Sequence, residues 1–181
     1  MIYCLVCGAK TRNIVPPMDN RVRAVCTQCD YIHYENPKNI VGIIASFNNR
    51  VLLCKRNTEP RKNYWTVPAG FMENEETLEE AAIRETYEEA CAEVKIIGLY
   101  SVFSLPHVSQ VYVIFRGNLI NGSFSAGSES LETKLFKEED IPWNQIAFPV
   151  IEKTLKRYFL DRSSNKYFPF TETISSRRRL N

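Results

Sequence analysis

Nine carboxylates fall within residues 73–93, and a single arginine, Arg84, stands among them. No other stretch limits the fold so tightly, because that much like charge must be either solvated or neutralised. At about 100° per residue, Glu85, Glu88 and Glu89 share one arc of a helix, while Ala82, Ile83, Thr86 and Ala90 gather on the other side as a small, packable face. Thr77 with Glu80 three residues later is the capping-box signature, so the helix is expected to begin at Leu78, after a loop that Gly70 opens. A solvent-facing acidic arc and a site for divalent cations are both compatible with the charge. The ordered spacing on a rigid element favours the second, with Mg²⁺ or Mn²⁺ taking hard oxygen ligands. Arg84 is then the internal counter-charge, within reach of Glu80 or Glu88 at i±4 and of Glu76 as a bidentate partner.

Six cysteines raise the question of disulfides, but four of them form Cys4-x2-Cys7 and Cys26-x2-Cys29 with 18 residues between the pairs. That spacing is the pattern of a zinc ribbon, in which four thiolates close a tetrahedral Zn²⁺ shell and leave no place for water. The role is structural rather than catalytic. A ribbon of this size buries too little to fold without its metal. His33 is assigned to structure and not to a fifth ligand, and Cys54 and Cys91 are expected to be buried thiols in apolar surroundings.

At 181 residues and 44% apolar content the chain can bury a core, which favours one main domain with a small appendage. A net charge of +2 argues against nucleic acid or a membrane surface as partner. No apolar run suits a bilayer span and Met1-Ile2-Tyr3 starts no secretory pattern, so the expected location is cytoplasmic.

Residues 1–34 are read as the ribbon, 35–162 as the main domain and 163–181 as a tail. Within the main domain, Ile40 to Phe47 and Arg50 to Arg56 form strands around an Asn48-Asn49 turn. Tyr64 to Val67 is a short strand, and Val94 to Ser104, Gln110 to Leu119 and Leu131 to Phe136 are longer ones. Val150 to Leu160 carries helical spacing. Strands flanked by two main helices predict an α/β fold, a sandwich with a mixed sheet. The tail is polar, then aromatic at Tyr167, Phe168 and Phe170, then basic at Arg177, Arg178 and Arg179, with a mobile end expected.

Gly70, Glu76, Arg84, Glu85, Glu88 and Glu89, spaced G-x5-E-x7-R-E-x-x-E-E, resemble the Nudix box. Two positions depart from it: Thr86 stands where the family has an aliphatic residue, and Cys91 where it has the glycine that ends the helix. The likeness extends through Asn36-Pro37-Lys38, Val51 to Arg56, Trp65 to Phe71, Ser104 to Gln110 and Glu129 to Glu132, so the chain resembles the zinc-ribbon Nudix hydrolases. Among these it is similar to bacterial NADH pyrophosphatases and closer to the plant FAD and ADP-ribose pyrophosphatase.

The resemblance implies a Nudix-type α/β/α sandwich behind a zinc ribbon, a homodimer, and hydrolysis of a nucleoside diphosphate derivative of the ADP-ribose, FAD or NADH type by in-line attack of a metal-activated water. NADH itself is disfavoured because the family's Ser-Gln-Pro-Trp-x-Phe-Pro-x-Ser run is replaced here by Ser104-Leu-Pro-His-Val-Ser-Gln110. By the same likeness Ala69, Glu85 and Glu89 hold the main Mg²⁺ or Mn²⁺, Glu88 and Glu129 share a second, with Glu132 in a neighbouring role, and Glu88 or Glu129 takes the proton. Arg84 joins Glu85, Glu88, Glu89 and Glu129 in the catalytic set, and Gly70 and Glu76 shape the box. Tyr34, Phe71, Ser104 and Gln110 contact substrate, and His107 is a further contact rather than a base. Two other readings stay open: a nucleic-acid-binding ribbon, basic at Lys10, Arg12, Arg21 and Arg23, on a scaffold that does not catalyse, and a hydrolase of capped RNA ends.

Overall fold

The computed structural model describes residues 2–175; the Arg177 to Arg179 run lies outside them. The chain divides into two compact units between Asn36 and Pro37. In the first, β1 (Thr11–Ile14), β2 (Arg23–Cys26) and β3 (Ile32–His33) form a three-stranded antiparallel sheet. Its buried apolar side chains are Cys4, Val25 and Cys26, while Ile2, Leu5 and Val6 stay exposed. So thin a core leaves stability to the cysteines.

The second unit is built on one mixed sheet. Its strands are β4 (Lys38–Phe47), β5 (Arg50–Arg56), β6 (Trp65–Thr66), β7 (Ala69–Phe71), β8 (Val94–Leu105), β9 (Gln110–Leu119), β10 (Ser130–Phe136) and β11 (Phe170–Thr173), and its helices are α1 (Leu78–Ala90) and α2 (Pro149–Ser164). The order is β10-β5-β4-β9-β8-β11, with β6 paired to β5 and β7 to β4. β4 lies parallel to β9, and β11 parallel to β8. Asn48 and Asn49 both adopt positive φ, 47° and 63°, the backbone a tight hairpin between twisted strands requires.

Alternation along the central strand β4 places Val41, Ile43 and Ala45 against the α1 side with Ala81, Ala82 and Ala90, and Ile40 and Ile44 against the α2 side with Val150, Ile151 and Leu155. A strand covered on both faces reads as a continuous apolar run, as this one does. The result is the α/β/α sandwich with a mixed sheet that the element pattern predicts. Between α2 and the sheet, the buried Asp161 accepts from Tyr100 Oη at 2.9 Å and from Arg157 Nε at 2.8 Å, so its charge is paired.

Three local expectations change. The aromatic part of the tail is not free: Phe170 opens β11 and meets Tyr100 and Phe103 edge to face, and α2 runs on to Ser164. These rings give the segment enough burial to add a parallel edge strand, which the polar stretch before it hides in sequence. The short strand expected from Tyr64 to Val67 is confined to β6, and beyond Pro68, which has no N–H to continue a ladder, an additional strand, β7, pairs with β4 instead of β5. Ile83, assigned to the packed side of α1, is 42% exposed. No helix among the described residues is long and apolar enough to cross a membrane.

Candidate active site and metal centres

Helix α1 begins at the predicted cap: Thr77 Oγ1 accepts from Glu80 N at 3.2 Å and Glu80 Oε2 accepts from Thr77 N at 2.8 Å. Glu80 is therefore committed to the cap and not to Arg84. Thr86, the first departure from the box, keeps its hydroxyl satisfied by donating to Ala82 O at 2.6 Å within the helix, so it packs where an aliphatic residue would. Cys91, the second, takes the left-handed conformation that glycine favours, with φ 44° and ψ 37°, and its N–H still closes the helix on Tyr87 O. The strain of that choice is about 1–2 kcal/mol. Cys91 is also exposed, which corrects its assignment as a buried thiol; of the two cysteines outside the first unit, Cys54 is the buried one. A residue that leaves the helix in the left-handed region turns its side chain away from the sheet.

The acidic arc does not face solvent as a whole. Glu85 and Glu89 are buried, at 9% and 5% exposure, and only Glu88 is open. Two segments cover them. β7 runs antiparallel to β4 beside the helix, and Ala69 N donates to Glu89 Oε2 at 3.1 Å. From the other side the loop at residues 125–129 crosses the end of α1, with Ser125 N on Ala90 O at 2.9 Å and Gly127 N on Glu89 O at 3.1 Å. Glycines make both approaches feasible: a Cβ on Gly70 would lie 2.3 Å from the Glu85 carboxylate, and one on Gly127 would lie 1.8 Å from Glu88 O.

Arg84 organises the cluster. Its Nε and Nη2 grip Glu76 at 3.0 and 2.8 Å, Nη1 reaches Glu85 at 2.8 Å and Glu88 at 3.1 Å, and Nη2 also donates to Phe71 O at 3.0 Å. The guanidinium beside Glu76 holds that carboxyl down to about 2, and Glu76 in turn raises the arginine. Glu85 and Glu89 go the other way. Burial pushes Glu89 up to about 8, opposed by the Ala69 N–H and reinforced by Glu85, and burial likewise raises Glu85 against the pull of Arg84. Two buried carboxyls that resist ionisation, one of them already sharing Arg84, would be stabilised as carboxylates by a hard divalent cation taking their oxygens as ligands.

These residues line a cavity of about 490 Å³ together with Ala69, Gly70, Phe71, Gln110 and Glu129. Phe71 is half exposed at 51%, with Lys38 Nζ 5.4 Å from its ring centre. Ser104 and Glu132 are not in the wall. Ser104 lies on β8 and accepts at its carbonyl from Ile174 N, and Glu132 faces Lys55 at 4.0 Å. Their register in β8 and β10 directs them elsewhere. His107 is exposed in the turn after β8, and Tyr34 belongs to the first unit, where Arg23 lies 5.1 Å over its ring.

Sequence reasoning passed over Arg56, Tyr112 and Phe148, all in the cavity wall. Arg56 donates to Pro60 O at 3.0 Å and Thr58 Oγ1 at 3.2 Å and sits 5.2 Å over the Phe148 ring, with no carboxylate partner among the described residues. The available signal was the Lys55-Arg56 pair that ends β5 after its apolar run Val51 to Cys54.

In the first unit the Sγ atoms of Cys4, Cys7, Cys26 and Cys29 lie within 4.8 Å of one another. Three of the separations, Cys4–Cys29, Cys7–Cys26 and Cys7–Cys29, are 3.7, 3.4 and 3.5 Å. A tetrahedron with Zn–S bonds of about 2.3 Å has edges of about 3.8 Å, so the quartet fits zinc. N–H groups of Cys29 and Gln28 point at the Cys26 sulfur and hold its thiol down to about 6, whereas hydrogen bonds among the thiols push Cys29 up to about 12 and raise Cys7, so the fit to zinc rests on the geometry of the four sulfurs. Among the described residues this is the cluster whose ligand atoms converge so closely. Among the glutamates, Glu85 and Glu88 share Arg84 Nη1.

Comparison with known proteins gives a consistent picture. Residues 36–157 match the NUDIX domain and residues 3–35 the Nudix N-terminal zinc ribbon. An ADP-ribose pyrophosphatase from Methanocaldococcus jannaschii is 34% identical over 134 residues, 71% of this chain and 76% of the relative. The NAD-capped RNA hydrolase NudC of Photobacterium profundum is 27% identical over 84% of this chain, which spans only 58% of that protein. Among solved structures, a NUDIX hydrolase from Nitrosomonas europaea is 49% identical with a TM-score of 0.95, covering 97% of this chain and 100% of its own. An ADP-ribose pyrophosphatase from Streptococcus suis, at 18% identity and a TM-score of 0.61 over 77% of this chain and 100% of its own, shares the fold.

Proposed function

Because this chain belongs to the Nudix family of pyrophosphohydrolases, we propose that it cleaves the diphosphate bridge of a nucleoside diphosphate derivative, with ADP-ribose the leading substrate. The observation that carries this reading is the pair of buried carboxylates, Glu85 and Glu89, facing one cavity beside Ala69 while Arg84 fixes their approach. The identity of 34% to an ADP-ribose pyrophosphatase supports the choice of substrate.

Glu85, Glu89 and Ala69 would hold the main cation, and Glu88 and Glu129 a second. Bound Mg²⁺ or Mn²⁺ supplies charge neutralisation of the diphosphate and a lowered proton affinity for water. The chain's own groups supply the rest. Arg84 stays on Glu76 and the Phe71 carbonyl, and from there its Nη1 holds Glu85 and the more exposed Glu88 at the cavity wall. Glu129, exposed at the rim and tied through its carbonyl to Asn57 N, or Glu88 would take the proton of the attacking water. Arg56, free of carboxylates, contacts the leaving phosphate. Phe71 offers a ring face to the base, and Gln110 a polar contact beside it.

Zinc in the cysteine quartet serves structure. A homodimer is the expected assembly. A capped RNA end is the second reading, supported by the 27% identity to an NAD-capped RNA hydrolase. The test is a panel of ADP-ribose, FAD, NADH and NAD-capped RNA with Mg²⁺ and with Mn²⁺, products resolved by chromatography. Release of AMP from ADP-ribose is expected, lost in Glu89→Gln. Intact substrates throughout, from folded and zinc-loaded protein, would overturn the proposal; turnover of capped RNA alone, falling steeply with salt, would transfer it to the second reading.

A further inference from the structure

A second cavity, of about 650 Å³, opens at the other end of the main sheet, where β4 and β9 finish at Ser46, Phe47 and Asn118. From Ile40 and Tyr112 in the first cavity wall to Ser46 and Asn118 the paired strands advance six residues, roughly 20 Å at the usual rise. The two cavities are opposite in charge. Glu73, Glu85, Glu88, Glu89 and Glu129 line the first, whereas among the described residues no carboxylate lines the second. Its charged groups are Arg116 and Arg162, with the amides of Asn48, Asn118 and Asn165 around them.

Arg116 occupies a position that the strand pattern reserves for an apolar side chain. Tyr112 and Ile114, on the same face of β9, are buried in the α2-side core. Two residues further on, a guanidinium takes their place and lies 3.6 Å from the centre of the Tyr167 ring. Stacking uses the flat face of the group and leaves its in-plane N–H donors unspent. Among the described residues none of them meets an acceptor or a carboxylate. Arg162 is better satisfied, donating to Asn49 O at 2.7 Å and facing Glu138 at 3.6 Å. An apolar lip completes the cleft: Phe47, Leu119 and Ile97, the last 49% exposed.

We propose that this cleft is a second ligand site, distinct from the carboxylate-lined cavity, and that it takes a small phosphate-bearing anion of the mononucleotide class. The phosphate pairs with the planar donor fork of Arg116, and the uncharged part of the ligand rests on the Phe47, Ile97 and Leu119 lip. A volume of about 650 Å³ is far larger than a bare phosphate needs and lies in the range of small-molecule sites. Arg116 already has an aromatic partner, so its placement costs no new ordering when the anion arrives.

The experiment titrates AMP, inorganic phosphate and adenosine into the full, zinc-loaded chain without Mg²⁺ or Mn²⁺, reading backbone amide shifts and calorimetry. AMP should move the signals of Asn48, Arg116 and Tyr167. Phosphate alone should move the same signals more weakly, and adenosine should leave them still. Arg116→Met, which keeps an aliphatic stem on Tyr167, should weaken AMP by roughly tenfold or more, the loss expected for a charge-assisted hydrogen bond. Asn118→Asp sets a negative charge at the exposed rim while still accepting the Ser46 hydroxyl, and should weaken AMP in the same way with the fold intact. Glu89→Gln should bind AMP at this cleft as wild type does. The proposal is overturned if AMP leaves the three signals unmoved, if both charge variants bind it as tightly as wild type, or if adenosine binds equally well. Neither metal nor turnover enters, so an inactive enzyme would leave the result unaffected.

Discussion

Glu89→Gln separates the electrostatics of the site from its packing. In the folded chain burial holds Glu89 near 8, while the unfolded value is close to 4.5. Between those limits the folded state keeps a proton that the unfolded state has released, so stability falls as pH rises, by about 1.4 kcal/mol per unit for one proton. Across the window from 4.5 to 8 the sum is on the order of 5 kcal/mol. Below 4.5 both states are protonated and the effect disappears; above 8 it is complete. Glutamine cannot ionise, yet its carbonyl oxygen can still accept the Ala69 N–H that Glu89 accepts at 3.1 Å. With Mg²⁺ and Mn²⁺ omitted and zinc retained, the variant and wild type should therefore melt together near pH 5 and separate toward pH 8, with the variant the more stable. For a chain of this size each kcal/mol shifts Tm by roughly 2–4 °C, so the gap should reach about 10 °C or more. Scanning calorimetry at four pH values reads it directly. Parallel curves for the two proteins would refute the claim that burial sets this carboxyl's charge. Adding Mn²⁺ should reverse the order at pH 8, since the ionised carboxylate is the better ligand.

Other substitutions probe the neighbouring contacts. Gly70→Ala drives a methyl to within 2.3 Å of the Glu85 carboxylate and should lower stability by about 1–3 kcal/mol with a larger loss of turnover; a thermal melt and a kcat checks both, and an unchanged kcat would contradict the tight packing. Glu76→Gln removes the anchor of Arg84 and should reduce kcat much more than KM, leaving far-ultraviolet circular dichroism unaltered; equal rates would show that Arg84 needs no such hold. Cys26→Ser should lower zinc content and thermal stability together, and hydrogen exchange should show residues before Pro37 opening first while the β4 to β9 ladder stays protected. A variant that still retains a full equivalent of zinc would remove Cys26 from the ligand set.

Much of this molecule was legible in its residues because the relevant physics is local. The start of α1 follows from Thr77 and Glu80, the hairpin from Asn48 and Asn49, and the strands β4 and β9 from their apolar runs. The grip of Arg84 on Glu76 likewise joins residues only eight apart, across the start of α1. What escaped depends on distant segments. The burial of Glu85 and Glu89 is imposed by Ala69 and by Ser125 to Gly127, and helical periodicity alone cannot say which side such a loop will cross. Arg56 gains its place from Phe148 and Pro60, and Tyr167 and Phe170 are drawn to the sheet by Arg116, Tyr100 and Phe103. Ser104 and Glu132 were misplaced for the related reason that a shared motif fixes neither strand register nor side-chain direction.

Glu129 takes its position from the helix that bears Glu89 rather than from the loop that leads to it from β9, because Gly127 and Ser125 are clasped to the last carbonyls of that helix. Length changes around Asn121 and Gly122 can thus be absorbed upstream of the clasp, as slack in a rope is taken up before a cleat. The rim of the site can diverge among relatives, or be rebuilt by an engineer, without retiming the acids that do the chemistry.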